Sequence, residues 1–355
     1  MNRTARLMQA LREKHIPAAV FHSRENIRYL SGYTGEGCLF VCEQFSAILT
    51  DFRYTEIAGI EAPECRVVRT RADGVTEESA VRDLLQEIGA NALGLETGVV
   101  TFDQYAAYRD ALPGVTLVSS GLTAEELRQI KDDGEIALIC EAAKIACAAF
   151  DHLLGWMKPG MTEKQIQAEL DYTMTRMGSE ECAFPTIAVA GVNGSLPHGV
   201  PSNHAVQNGE LLTLDFGAQV QGYKCDMTRT VGFGQLSDEL VTMYDAVLTA
   251  QKLALDAVRP GACCGDIDAI ARDYLDERYP GCFGHGLGHA VGLFIHEQPR
   301  FSRGATTILR PGHVMTVEPG VYLPGKGGCR IEDMTLITAE GYINPITAPK
   351  HLVII

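Results

Sequence analysis

The sequence predicts two domains, a smaller α/β unit over residues 1–122 and a larger α+β unit over residues 123–355. Three observations predict this. A chain of 355 residues is long for one hydrophobic core. Up to residue 122 short apolar runs alternate with helical patterns. Beyond it, long helices stand beside strands without strict alternation, the texture of an α+β unit.

In the first unit, MNRTARLMQALREKHIP alternates charged and apolar residues as an amphipathic helix does, and lacks the continuous apolar core of a signal peptide. AAVF (18–21), LFVC (39–42) and AILT (47–50) read as strands and TEESAVRDLLQEIG (76–89) as a helix. Thr123 and Glu126 then make a capping-box signature. From there apolar positions keep helical spacing to Met157, where Lys158-Pro159-Gly160 ends the run. A helical linker is therefore expected to open the second unit at residue 123. Thr162 and Gln165 repeat the signature and start a helix toward Met177. TIAVAG (186–191) and LLTLDFGAQV (211–220) read as strands, 237–258 and 266–278 as helices, and the C-terminus is strand-rich.

Charge and composition narrow the function. The net charge is −15 and no block of Lys or Arg interrupts it, which argues against nucleic acid or an anionic membrane as the main partner. No apolar run approaches a membrane span, so the expected location is the cytoplasm. The eleven cysteines are scattered and odd in number, and they read as reduced core thiols rather than zinc ligands or nucleophiles.

Chemistry concentrates in the second unit. In LLTLDFGAQVQGYKCDMTRT (211–230), Gln221-Gly222 reads as a hairpin turn between two strands. An even-numbered loop puts Asp215 and Asp226 on one face of the ladder, where two carboxylates repel and call for a cation. The first follows the apolar run LLTL, and a buried unpaired carboxylate is expensive. A second acid pair, Glu318 after VMTV and Glu332 in GCRIEDMTLIT, also occupies strand-like positions. Arg330 shares the side-chain parity of Glu332, so a simple salt bridge is the alternative there.

The stretch GHGLGHAVGLFIHEQP (284–299) carries His285, His289 and His296 among glycines. It is not a dinucleotide fingerprint, because the third glycine falls at Gly292 rather than 291. Its glycines disfavour a helix, and no second histidine completes HExxH after His296-Glu297. Instead they let the backbone approach closely while histidines project around it. With His198 in SLPHGVPSN, two acid pairs and a histidine cluster make an oxygen-rich site suited to two divalent cations, manganese, cobalt or zinc.

In this order, LPHG, DFGAQVQGYKCDMTRT, GHGLGHAVGLFIHEQP, TVEPGVYLPG and RIED resemble the pita-bread metallopeptidases: methionine aminopeptidase, Xaa-Pro aminopeptidase and Xaa-Pro dipeptidase. The N-terminal half, with NIRYLSGYTG (26–35) and TDFRY (50–54), looks like the creatinase-like domain of the proline-specific members. The resemblance implies a pita-bread catalytic domain and five metal ligands, Asp215, Asp226, His289, Glu318 and Glu332, with manganese the first choice of metal. It implies catalytic roles for His198, His296 and Glu318, and substrate contacts for His285, Arg300 and Arg330. Ala290, Phe294 and Gln298 depart from residues common in relatives but leave the ligands untouched.

The expected activity is that of an Xaa-Pro aminopeptidase, in which a hydroxide held between two metals attacks the carbonyl before proline. Its substrates would be small peptides with proline at the second position, and the expected assembly is a homodimer. Arg300 resembles a position that meets the substrate carboxylate in dipeptidases, so a prolidase is the alternative. Some relatives keep the fold without the full ligand set, which leaves a silent peptide-binding scaffold as a reading from another class.

Overall fold

The computed structural model describes residues 2–72 and 74–355; Met1 and Asp73 lie outside this description. Two compact units result, Met1–Arg128 and Gln129–Ile355.

The first unit is built on one mixed six-stranded sheet. In chain order its elements are α1 (Arg3–Glu13), β1 (Ala18–Phe21), α2 (Arg24–Ser31), β2 (Cys38–Cys42), β3 (Ser46–Thr50), α3 (Thr55–Glu61), β4 (Arg66–Arg69), α4 (Glu77–Glu87), β5 (Ala92–Leu95), α5 (Phe102–Ala111), β6 (Thr116–Ser119) and α6 (Thr123–Arg128). The strand order is β4-β3-β2-β1-β5-β6. Every residue of β1 and β2 is buried, so these strands read as continuous apolar runs. Thr76 and Thr101 close capping boxes on α4 and α5 with Ser79 and Gln104.

The expected linker is corrected here. The helix α6 belongs to the first unit, which ends at Arg128 rather than at residue 122. Polar anchors decide this: Arg128 donates to Asn26 Oδ1 at 2.6 Å, and Asn26 donates to Glu125 at 2.8 Å. Apolar periodicity cannot register such contacts. Nor is the helix continuous to Met157. It breaks at residues 129–132, and the capping box there joins Asp132 and Glu135, not Thr123 and Glu126.

The second unit continues with α7 (Asp133–Trp156), α8 (Glu163–Arg176), β7 (Ile187–Ala190), β8 (Leu211–Phe216), β9 (Gln219–Val220), β10 (Tyr223–Lys224), β11 (Met227–Gly232), α9 (Asp238–Ala257), α10 (Cys264–Arg278), β12 (Gly288–Ala290), β13 (Glu297–Phe301), β14 (Val314–Val317), β15 (Gly320–Leu323), β16 (Gly327–Arg330), β17 (Asp333–Ile337) and β18 (Tyr342–Ile343). A helix pair followed by antiparallel strands thus occurs twice. The first set forms β11-β8-β7, the second β13-β12-β14-β17-β18. The run 211–220 is split at Gly217-Ala218 rather than continuous. The predicted capping box of Thr162 with Gln165 opens α8. All eleven cysteines are free.

A buried charge network ties the C-terminal tail to this unit. Arg229 is 1% exposed; it pairs with Asp333 at 2.8 Å and donates to the carbonyls of Glu332, Ala348 and Pro349. Lys350 meets the other oxygen of Asp333 at 2.6 Å, and Gln251 also donates to it. Asp333 is accordingly held below the usual carboxylate range, since these partners outweigh its burial. Arg229→Met removes one partner and leaves buried acceptors unpaired, so it is expected to cost about 3–5 kcal/mol in urea denaturation.

Candidate metal centre

The acids sit where each sheet is pinched between two strand pairs. In the first, Asp215 pairs across from Thr228, and the same register carries on to Val220 opposite Tyr223. Gln221 and Gly222, with φ of 45° and 77°, turn the chain as a two-residue type I′ hairpin requires. Asp226 then lies across from Gly217, diagonal to Asp215 and on its face. Only glycine fits at 217, where a Cβ would stand 1.9 Å from the Cys225 carbonyl oxygen.

The second sheet repeats the device. Val317 pairs with Asp333 and Gly320 with Arg330, so one unbroken register sets Glu318 opposite Glu332. His289 comes from β12, brought close by Gly288, whose Cβ would lie 2.1 Å from the Thr316 carbonyl oxygen. This is the close approach that the glycine spacing predicts.

Asp226, His289 and Glu332, all buried, each offer one ligand atom within 4.8 Å of the others. Nδ1 of His289 lies 3.1 Å from the Ala290 carbonyl, which makes it the donor and turns Nε2 inward. Nε2 is 3.3 Å from Glu318 and 3.5 Å from Asp226. Thr228 donates to Glu332 Oε2 at 2.8 Å, and Arg330 to Asp215 Oδ2 at 2.6 Å. Oδ1 of Asp215 and Oε1 of Glu332 are buried with no hydrogen-bond partner among the described residues.

The electrostatics follow from this crowding. Burial, then the charges of Asp215 and Glu318, push Asp226 well above the carboxylate range. Burial and the charges of Asp226, Glu318 and Asp215 do the same to Glu332. Burial also raises Asp215, against the pull of Arg330. For Glu318 burial is outweighed by its hydrogen bond and charge interaction with His289, and it falls to about 2.

A cavity of about 630 Å³ opens onto these groups and is lined by all the other expected site residues. His198 and His296 are exposed in it, and the His296 ring stands edge-on to His289 at 4.5 Å. Burial and the neighbouring His289 and Arg300 hold His296 down at about 4, so it is neutral at pH 7. Both nitrogens of His285 are engaged, 2.8 Å from the Gly286 carbonyl and 2.9 Å from the Tyr322 hydroxyl. Arg330 is 3% exposed and donates to Tyr322, Thr228 and the Pro197 carbonyl besides Asp215. The alternative ion pair from Arg330 to Glu332 is therefore not the one formed.

Sequence reasoning missed the residues that orient this set. Tyr322 links His285 to Arg330, Thr228 braces Glu332, and Thr316 accepts from the His289 N–H while donating to Glu318. The parity of Thr228 with Asp226 was a usable signal. Lys131 and Glu297 form a buried ion pair at 2.8 Å, and Glu297 accepts from the Phe294 N–H in the loop that bears His296. Nothing in the spacing of those two residues announces it.

Residues 137–339 match the model of metallopeptidase family M24, and residues 3–130 that of the creatinase/prolidase N-terminal domain. An uncharacterised peptidase of Bacillus subtilis is 39% identical over 342 residues, 96% of each chain. The chain is similar to the Xaa-Pro dipeptidase from Bacillus anthracis, with a TM-score of 0.95, 36% identity and 99% of each chain covered. It is also similar to the X-Pro aminopeptidase from Thermotoga maritima, with a TM-score of 0.90, 32% identity and coverage of 98% of this chain and 100% of that one.

A carboxyl group whose pKa is raised by folding binds its proton more tightly when folded. The chelated protein therefore gains stability in mild acid and loses it as pH rises above the ordinary carboxylate range. Asp226→Asn should flatten that fall in a thermal-melt pH series, by about 1.4 kcal/mol for each pKa unit abolished. Gly288→Ala should force β12 off β14, cost about 1–3 kcal/mol and lower bound metal measured by elemental analysis.

Proposed function

The chain belongs to metallopeptidase family M24, and from that premise we propose that it hydrolyses the bond between an N-terminal residue and a following proline. The observation that carries this is the pair of buried oxygens on Asp215 and Glu332 that have no hydrogen-bond partner among the described residues, in a cluster whose Asp215 and His289 line one cavity. A set of four carboxylates and one imidazole suits divalent ions, which offset the mutual repulsion that raises Asp226 and Glu332. On this reading Asp215, Asp226, His289, Glu318 and Glu332 hold two such ions, manganese first among them.

When bound, such ions supply a water acidified to near neutral pH and polarise the scissile carbonyl. The protein's own groups do the rest. His296, neutral at pH 7, and His198 both line the cavity, and on this reading they donate hydrogen bonds to the carbonyl oxygen as charge develops there. On this reading the Glu318 carboxylate relays a proton toward the leaving nitrogen. Arg330 and Tyr322 fix the orientation of Asp215 and His285. Phe184, Ile187 and Val200 give the cavity an apolar wall for the pyrrolidine ring. Proline removes the amide hydrogen that other peptidases grip, so a site dedicated to the imide bond has a distinct task.

The cavity, at about 630 Å³, has room for residues beyond the proline and favours release of the first residue from a longer peptide. Arg300 favours the second reading, a dipeptidase. It is exposed, lines the cavity, and no ion pair engages it among the described residues, so it is available to a dipeptide's carboxylate.

The manganese-loaded protein, given an equimolar mixture of an Xaa-Pro dipeptide and an Xaa-Pro-Yaa-Zaa peptide, should shorten the longer one by its first residue in mass spectrometry. Cleavage of the dipeptide alone selects the dipeptidase, and then Arg300→Ala should raise KM for it with little change in kcat. Asp226→Ala should lose more than about 100-fold in kcat together with its metal. Full activity and full metal content in that variant would overturn the site.

A further inference from the structure

The first unit holds a second group of metal-binding side chains. The ladder between β1 and β2 pairs Phe21 with Leu39, and one further step of that register sets His22 opposite Cys38. Residues so paired project to one face. Glu77, first residue of α4, and Tyr108 of α5 meet them there. The Tyr108 hydroxyl donates to Glu77 Oε1 at 2.6 Å, and His22 Nε2 lies 2.8 Å from the same oxygen. One donor atom each of His22, Cys38 and Glu77 lies within 4.8 Å of the other two.

As a purely structural cluster this is expensive. Cys38 is fully buried, and its burial, then the Glu77 carboxylate, push the thiol well up. The His22 side chain is 9% exposed and its Nδ1 is buried with no hydrogen-bond partner among the described residues. A buried polar atom left unpaired destabilises the fold. Apolar residues at 22 and 38 would continue the strands AAVF and LFVC without that cost.

We propose that His22, Cys38 and Glu77 form a binding site in the first unit for a divalent cation of the zinc type. The site goes beyond the peptidase reading and does not rest on it. A thiolate, an imidazole and a carboxylate are the ligand types that a borderline-soft ion takes, and the two anionic ones neutralise its charge. Binding displaces the Cys38 proton to solvent. Tetrahedral ligands at zinc distances stand about 3.5 Å apart, so His22 Nε2 and Glu77 Oε1, now 2.8 Å apart, part slightly on binding. Tyr108 keeps its hydrogen bond and fixes the carboxylate. Glu77 is 30% exposed and lines a cavity of about 360 Å³ with Thr50 and Asp51, which gives the ion a way in. On this proposal Cys38 departs from the expectation that the cysteines are core thiols rather than zinc ligands.

Cobalt(II) tests the site in the full-length, chelator-stripped protein. A thiolate ligand gives a near-ultraviolet sulfur-to-cobalt charge-transfer band, which the oxygen and nitrogen donors of the second unit cannot give. A saturable band is expected that zinc displaces, that persists in Asp226→Asn and that vanishes in Cys38→Ser, with apparent affinity at least about tenfold weaker in Glu77→Gln. No band at saturating cobalt, a band undiminished in Cys38→Ser, or one lost in Asp226→Asn would overturn the proposal. Should Cys38→Ser fail to fold, Glu77→Gln decides, and unchanged cobalt affinity there would sink it.

Discussion

Four carboxylates, two buried and two half-buried, around one imidazole are the constraint on which the second unit is built. Ionised carboxylates do not share a dry site without a counter-charge, since each raises the others' affinity for protons. Asp226 and Glu332 carry that repulsion most fully, each pushed up by burial and by its neighbours. The fold accepts this cost twice, once in each sheet, by running a single strand register through a pinch and placing acids there. Backbone pairing fixes their positions, so the crowding is not free to relax.

Around the acids lies a shell of groups that cancel charge without filling the centre. Arg330 is given to Asp215 and to the Tyr322 hydroxyl, and Thr228 to Glu332. The Lys131–Glu297 pair sits behind the loop bearing His296, with a Cβ at Gly292 excluded by the Glu297 carboxylate at 2.7 Å. Breaking such pairs by removing one partner is costly because the other charge stays buried. The centre's precision thus depends on residues that do not line the cavity, Tyr322, Thr228, Lys131 and Glu297, as well as on Arg330, which does.

Much of this was legible in the sequence, for identifiable reasons. Strand parity and a Gln-Gly turn put Asp215 and Asp226 on one face, because side-chain alternation is a local rule. Glycine spacing at 284–292 announced close backbone approach, and Gly288 against Thr316 is that approach. The boundary at residue 122 failed because α6 is held by Asn26, Glu125 and Arg128, a polar network between segments about a hundred positions apart. Arg330 was legible as a charged residue near the acids but not as the partner of Asp215, which lies across the fold from it. Tyr322 was illegible for the same reason: its two contacts depend on how β15 and β16 pair.

The Arg229 network makes residues far from the cavity part of its support. The guanidinium that donates to the Glu332 carbonyl also donates to the carbonyls of Ala348 and Pro349, and Ile355 donates its N–H to the Gly232 carbonyl. The backbone that seats the last acid thus shares one cation with residues 348 and 349, so a change there that touches no site residue loosens the strand carrying Glu332.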